Sequence, residues 1–231
     1  MKKIFSIPFS IAVFLLCFSP HVDAQKKLTE GKAIFDITYP ESELDEQSLS
    51  MMPAQSTICF KGQFSRTEMK IAMGTAIGIT DAKAGVTTTL MDMMGNKIAM
   101  KTTKEDLEKE RKKSGEKKPE IKITNETKTI AGYLCKKAVI TMKMKDSTET
   151  KINTWFTKDI SAVNSLHSGG TDLSGLEGFM MEFQMQMNSL TMKMTCRSVE
   201  DVAISDTLFT LPQGYTLTTM EDLKGMMGGA H

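Results

Sequence analysis

The chain has 231 residues, with 29 lysines and arginines against 28 aspartates and glutamates, a formal net charge of +1. So even a balance leaves no electrostatic footprint for nucleic acid or for a polyanionic partner. The length suits one domain, and the 20 methionines are its distinctive compositional feature.

Residues 1–24 read as a cleavable export signal rather than as part of the fold. Lys2 and Lys3 form the basic end, Ile11 to Phe18 the apolar stretch, and Val22-Asp23-Ala24 the cleavage site. The apolar stretch is too short to span a bilayer, and no later segment is long and apolar enough to do so. Lipidation at Cys17 is disfavoured because the bulky Leu16 precedes it. The mature chain, residues 25–231, is expected to be a single domain, monomeric and periplasmic or otherwise exported. Losing Lys2, Lys3 and Asp23 leaves it with no net charge.

Period-two alternation marks strands along most of the chain. Lys32 to Tyr39 is the first, stopped by Pro40, and Glu41 to Met52 reads as a short helix or loop. Ser56 to Phe60 and Gln63 to Ile71 flank a tight turn at Lys61-Gly62. Thr75 to Thr80, Val86 to Met93 and Lys97 to Lys101 continue the meander. The charged insert at residues 103–120 reads as a solvated helix leading into a connection, with Thr103 and Asp106 placed for a capping box. Strands resume at Glu120 to Thr124, Tyr133 to Lys145 and Thr150 to Thr157, the last carrying the only tryptophan, Trp155. Ser161 to Gly178 is a Gly/Ser-rich loop, and Asp206 to Tyr215 is irregular. Thr219 to Met227 reads as a short terminal helix.

The strongest pattern is Met181 to Arg197, two alternating runs around Asn188-Ser189. This predicts a hairpin in which Met187 faces Leu190, Met185 faces Met192, Phe183 faces Met194 and Met181 faces Cys196. Its apolar side (Met181, Phe183, Met185, Met187, Leu190, Met192, Met194) is a soft, sulfur-rich wall suited to lining a ligand cavity. Glu182, Gln184, Thr191 and Lys193 occupy the other side.

Chemistry is sparse. The mature chain has only His167, in a loop, and His231, and it lacks a G-x-S-x-G turn, a phosphate loop and a C-x-x-C pair. No catalytic residue, cofactor or metal ligand is assigned, and the chain is read as a non-enzyme. Cys59, Cys135 and Cys196 are expected as free thiols, one disulfide remaining open, with Cys196 on the methionine face and Cys59 on the other. The Met-x-Met pairs, such as Met185-Gln186-Met187 and Met192-Lys193-Met194, raise a Cu(I) carrier as an alternative, since thioethers suit that ion. They alternate with Phe183 and Leu190 as ordinary apolar faces do, and no histidine accompanies them.

The stretches GKAIFDITYP, FKGQFSRTEMKIAMG, TTTLMDMMGNKIAMK, ETKTIAGYLCKKAVITM, NTWFTKDIS, GLEGFMMEFQMQM and SDTLFTLPQGY resemble an exported family of unknown function from Bacteroidetes-type bacteria. That family is similar in layout to the lipoprotein carriers of the LolA/LolB type. The resemblance implies a mainly β fold, a curved antiparallel half-barrel with a few helices covering the concave face and a cavity for an acyl chain. It carries the carriers' lid-holding arginine onto Arg66 and adds it to the ligand-binding set. A hydrophobic small molecule or acyl chain is the implied partner, with an envelope interaction module having a packed core as a further alternative. Asp146-Ser147-Thr148 and Asp206-Thr207-Leu208 resemble O-glycosylation sites of such bacteria, although the second reads better as a plain turn.

Overall fold

The computed structural model describes residues 27–72, 74–93, 95–115, 117–143, 149–162, 173, 175–187 and 190–219. The expected export signal, Asp146-Ser147-Thr148, the expected turn at Asn188-Ser189 and the expected terminal helix from residue 220 onward lie outside the described residues.

The chain folds into two antiparallel meanders that share one sheet. The first comprises β1 (Glu30–Thr38), β2 (Gln55–Lys61), β3 (Phe64–Ile71), β4 (Gly74–Asp81), β5 (Val86–Met93) and β6 (Asn96–Thr103). The second comprises β7 (Glu120–Ile130), β8 (Tyr133–Lys143), β9 (Glu149–Thr157), β10 (Phe179–Met187) and β11 (Leu190–Glu200). A short β12 (Thr216–Thr218) adds in parallel to β6. The order is β12-β6-β5-β4-β3-β2-β1-β11-β10-β9-β8-β7, open at both edges. Two helices, α1 (Glu46–Ser50) and α2 (Lys104–Ser114), complete the described elements, with a 3-10 turn at Asp206–Phe209. The fold is therefore mainly β, as the alternation predicts. β7 runs six residues past its expected end at Thr124, with a register shift between Ile123 and Thr127. As an edge strand it carries charges instead of an apolar stripe, so period-two hydrophobicity does not mark it.

The sheet curls, and three observations fix the direction. The segment from Thr103 to Glu120 joins β6 to β7, ten strand spacings apart, or about 48 Å on a flat sheet. An 11-residue helix spans only about 16 Å, and the short extended tail cannot supply the difference. So α2 bridges the mouth of a half-barrel. Phe60 on β2 and Phe179 on β10 have ring centroids 5.7 Å apart, although β1 and β11 lie between them. Leu28, just before β1, forms a bridge with Ile160, just after β9. The face carrying Phe60 and Phe179 is therefore concave.

The charged insert folds because its ends are capped, not because it packs. Thr103 Oγ1 accepts from the Asp106 amide at 3.2 Å, and Asp106 Oδ2 accepts from the Thr103 amide at 3.0 Å. Gly115, at φ 69°, closes the C-terminus in the left-handed conformation. Neither helix contributes a fully buried side chain among its described residues.

Two apolar clusters lie on opposite faces. The larger fills the concave side with residues such as Phe35, Phe60, Ile140, Phe156, Phe179 and Met181. Gly31 permits this, because a Cβ there would meet the Glu200 carbonyl oxygen at 2.5 Å and the Phe60 ring at 3.2 Å. The smaller cluster is convex: Ile77, Ile79, Leu90 and Ala99, with Phe209 and Tyr215 against them. Those two rings belong to a strap, Val202 to Tyr215, laid over the outside of β2 to β6. Lys61 Nζ holds the Ile204 carbonyl at 3.2 Å and Asp206 at 2.8 Å, and Glu30 accepts from the Ile204 amide at 2.6 Å. The Asp206 hydrogen bond and charge raise the Lys61 pKa. Phe64 stacks on Phe209 at 5.6 Å.

Candidate functional site

The β10–β11 register is the one the alternation predicts: Met187 pairs with Leu190, Met185 with Met192 and Phe183 with Met194. On the next strand Ile37 of β1 pairs with Met194, and Phe35 with Cys196 across a bulge. Exposure rises along the hairpin. Met181 is 0% exposed, Phe183 4%, Met194 5% and Met192 9%, whereas Met185 and Leu190 are half-buried. The Met187 side chain lies outside the described part of the structure. The wall is thus sealed at the Phe60–Phe179 end and less covered toward the hairpin tip.

Half-buried side chains from other strands pack against the same cluster: Tyr39 beyond β1, Met142 on β8, and Met69 on β3, the last level with Ser56, Phe35 and Cys196. The Tyr39 hydroxyl donates to the Pro53 carbonyl at 2.8 Å, and burial raises its pKa. Half-buried thioethers and one tyrosine thus edge the wall. Sequence periodicity did not single out Met69 or Tyr39. Each looks like one apolar residue of its own strand, and only the folded sheet brings them to the common cluster.

Arg66 stands apart from this set. It pairs with Cys59 on β2 and Ile79 on β4, which places it on the convex face. Its guanidinium donates to the Leu208 carbonyl at 3.3 Å and to Glu68 at 3.2 Å. Arg66 therefore holds the strap, and the structure does not join it to the methionine wall. Trp155 is convex too, paired with Glu182 and flanked by Lys128 at 4.9 Å and Lys137 at 6.0 Å from its ring.

Electrostatics separate the two faces. In β1 to β6 every charged side chain, from Glu30 and Lys32 to Lys97 and Lys101, has the convex phase of the register. The thiols are free. Burial pushes Cys135 up to about 11 and Cys196 up to about 12, so both are protonated and poor nucleophiles near neutral pH. Burial also raises the Cys59 pKa, against the lowering influence of Arg66 and Lys32. Met185 and Met192 are direct cross-strand partners, but Met192 and Met194 belong to the packed cluster with Phe183, so coordinating a soft ion there would compete with packing. No helix among the described residues is long and apolar enough to cross a membrane.

A family model described as "N-glycanase peptide, N-terminal domain" matches residues 66–216. This differs from the family of unknown function that the quoted stretches resemble. Among solved structures, LprF from Mycobacterium bovis is similar at 12% identity over 84% of this chain and 92% of that chain, with a TM-score of 0.34. No curated protein matches. The fold stands on strand order and register, not on a likeness of that size.

Proposed function

The chain belongs to the family of the N-glycanase peptide N-terminal domain, and from that premise we propose that it is a non-enzymatic binding module of the cell envelope. Its ligand is a hydrophobic group, a lipid or lipoprotein acyl chain, taken at the methionine rim of the concave face. The observation that carries this reading is the exposure gradient along one uncharged wall, from Met181 at 0% to half-buried Met185. A carrier must remove an alkyl chain from water without meeting charge, and thioethers adapt to its shape. The export signal expected at residues 1–24 supports an envelope location.

The family description names an N-glycanase, and hydrolysis of a glycosylamide asks for a free acid or nucleophile. Here the most buried thiols are held protonated. Glu182, the most enclosed carboxylate among the ion pairs, is engaged by Lys128 at 2.8 Å and Lys193 at 3.6 Å. Binding therefore suits these groups better than catalysis does.

Native mass spectrometry of protein purified from a bacterial envelope tests the reading, together with titration of a fluorescent acyl probe. The expected result is co-purifying lipid and probe binding that weakens on Met185→Asp while the circular dichroism is unchanged. Bare protein that also ignores the probe would support a packed interaction module instead. A one-to-one Cu(I) complex abolished by Met185→Leu with Met192→Leu would favour the copper reading.

A further inference from the structure

Beyond the methionine wall the concave face changes character. Across β2 to β6 one rung reads Phe60, Ser65, Thr80, Thr87, Thr102, and the next reads Ile58, Thr67, Gly78, Thr89, Met100. The apolar wall gives way at β3 to a floor of hydroxyls. Ser65, Thr80 and Thr87 are buried. Thr80 and Thr87 satisfy each other at 3.2 Å. Ser65 Oγ and Thr67 Oγ1 are screened from solvent and pair with no protein group.

An unpaired buried hydroxyl sacrifices its hydration and gets nothing in return. Two of them side by side on one strand, on a face where Thr80 and Thr87 pair with each other and Ser56 with the Glu68 carbonyl, mark a place where an outside group supplies the partner. Hydroxyls both donate and accept, so they match a neutral ester, amide or alcohol. They do not offset the desolvation of a carboxylate or phosphate, and in β1 to β6 every cation lies on the other face. Met69, one rung beyond Thr67, packs against the large cluster, so floor and wall are continuous.

We propose that Ser65 and Thr67 form a head-group subsite for the neutral, hydrogen-bonding head of a single-chain amphiphile whose alkyl chain lies along the methionine rim. This rests on the hydrophobic-ligand reading and adds a selectivity to it: neutral heads over fatty carboxylates.

Displacement of a fluorescent acyl probe from the full chain at about pH 8, where a fatty acid is ionised, tests both statements separately. Monopalmitoylglycerol, palmitamide and palmitate share one alkyl chain and differ only in the head. The neutral pair should displace the probe at concentrations about tenfold lower than palmitate, the scale of one or two hydrogen bonds. Ser65→Ala with Thr67→Val should erase that preference while leaving palmitate unchanged. The variant's melting temperature should hold or rise, because apolar isosteres relieve unpaired oxygens. Equal displacement by all three compounds overturns the subsite and leaves the hydrophobic reading intact. If no acyl compound binds, the hydrophobic reading falls, and the subsite with it. A marked drop in melting temperature for the variant shows that the two hydroxyls are satisfied structurally, by ordered water, and also overturns the subsite.

Discussion

If the sheet curls as described, Phe60 and Phe179 are energetically coupled despite the two strands between them. On a flat sheet β2 and β10 would stand about 14 Å apart and their side chains would not meet. Here the rings are 5.7 Å apart at 40°, and Phe35 approaches Phe179 edge-on at 6.0 Å. All three side chains are buried. Replacing either Phe60 or Phe179 with leucine keeps most of the volume and removes the ring contact, at about 1–2 kcal/mol. For a chain of this size each variant should melt about 2–8 °C lower. Aromatic pairs contribute about 0.5–1.5 kcal/mol beyond their burial, and that amount should be missing from the sum when both are changed. Chemical denaturation of the wild type, both single variants and the double variant measures the coupling. Residues without contact add to within about 0.3–0.5 kcal/mol. Additivity at that level would refute the curl at this end of the sheet, and with it the concavity on which the binding site depends.

Other outcomes follow from the same geometry. Phe183→Asp, placing a charge among buried side chains, should cost more than about 4 kcal/mol, whereas Gln184→Lys on the exposed phase should be neutral within about 0.5 kcal/mol. Equal melting curves for the two would show the hairpin phase to be wrong. Arg66→Met should leave acyl-probe binding near wild type but raise amide exchange in the strap around Leu208, because it removes the 3.3 Å bond to that carbonyl; loss of probe binding with the strap still protected would return Arg66 to the ligand set. The buried thiols tie stability to alkaline pH. An unfolded cysteine ionises near pH ~8.5, and the folded chain holds the protons of Cys135 and Cys196 up to about 11 and about 12. The stability they contribute is full below the unfolded value and is lost as pH rises through that window. The urea midpoint should therefore fall between about pH 9 and 11 by more in the wild type than in a Cys135→Ala, Cys196→Ala variant, and parallel profiles would contradict the assigned burial.

The parts of the fold legible in the sequence are those where one face is buried and one is wet. Period-two alternation located β10 and β11, set their register through Asn188-Ser189 and placed Cys196 on the wall. The Thr103–Asp106 capping box was legible because it is local. The phase of Arg66 was also present, though in two separate pieces. A two-residue turn at Lys61-Gly62 pairs Arg66 with Thr57, and the structure, turning one residue later at Gly62-Gln63, pairs it with Cys59; both alternate with Phe60, so in either register Arg66 shares the face away from the core. The strap was not legible. It covers the sheet with single anchors, Phe209 and Tyr215, held by backbone and ion-pair contacts more than 140 residues apart in sequence, and no periodicity encodes that.

The strap bears on function because it changes what β4 to β6 require of the concave face. Elsewhere the sheet buries its apolar residues on the inside. In these three strands Ile77, Ile79, Leu90 and Ala99 are buried on the outside, under Phe209 and Tyr215. Alternation then hands the inside to Gly78, Thr80, Thr87 and Thr89 at one end and to Ala76, Met91, Ile98 and Met100 toward the Met69 end, so the hydroxyl end need not supply a core. The switch falls at β3, where Arg66 faces the strap while its neighbours Ser65 and Thr67 face inward. One strand thus holds both the clamp for the outer cover and the two unpaired inner hydroxyls. A fully apolar interior would have suited an alkyl chain alone. By anchoring its outer half through the strap, this sheet frees part of its interior for polar recognition without leaving those strands short of buried apolar surface.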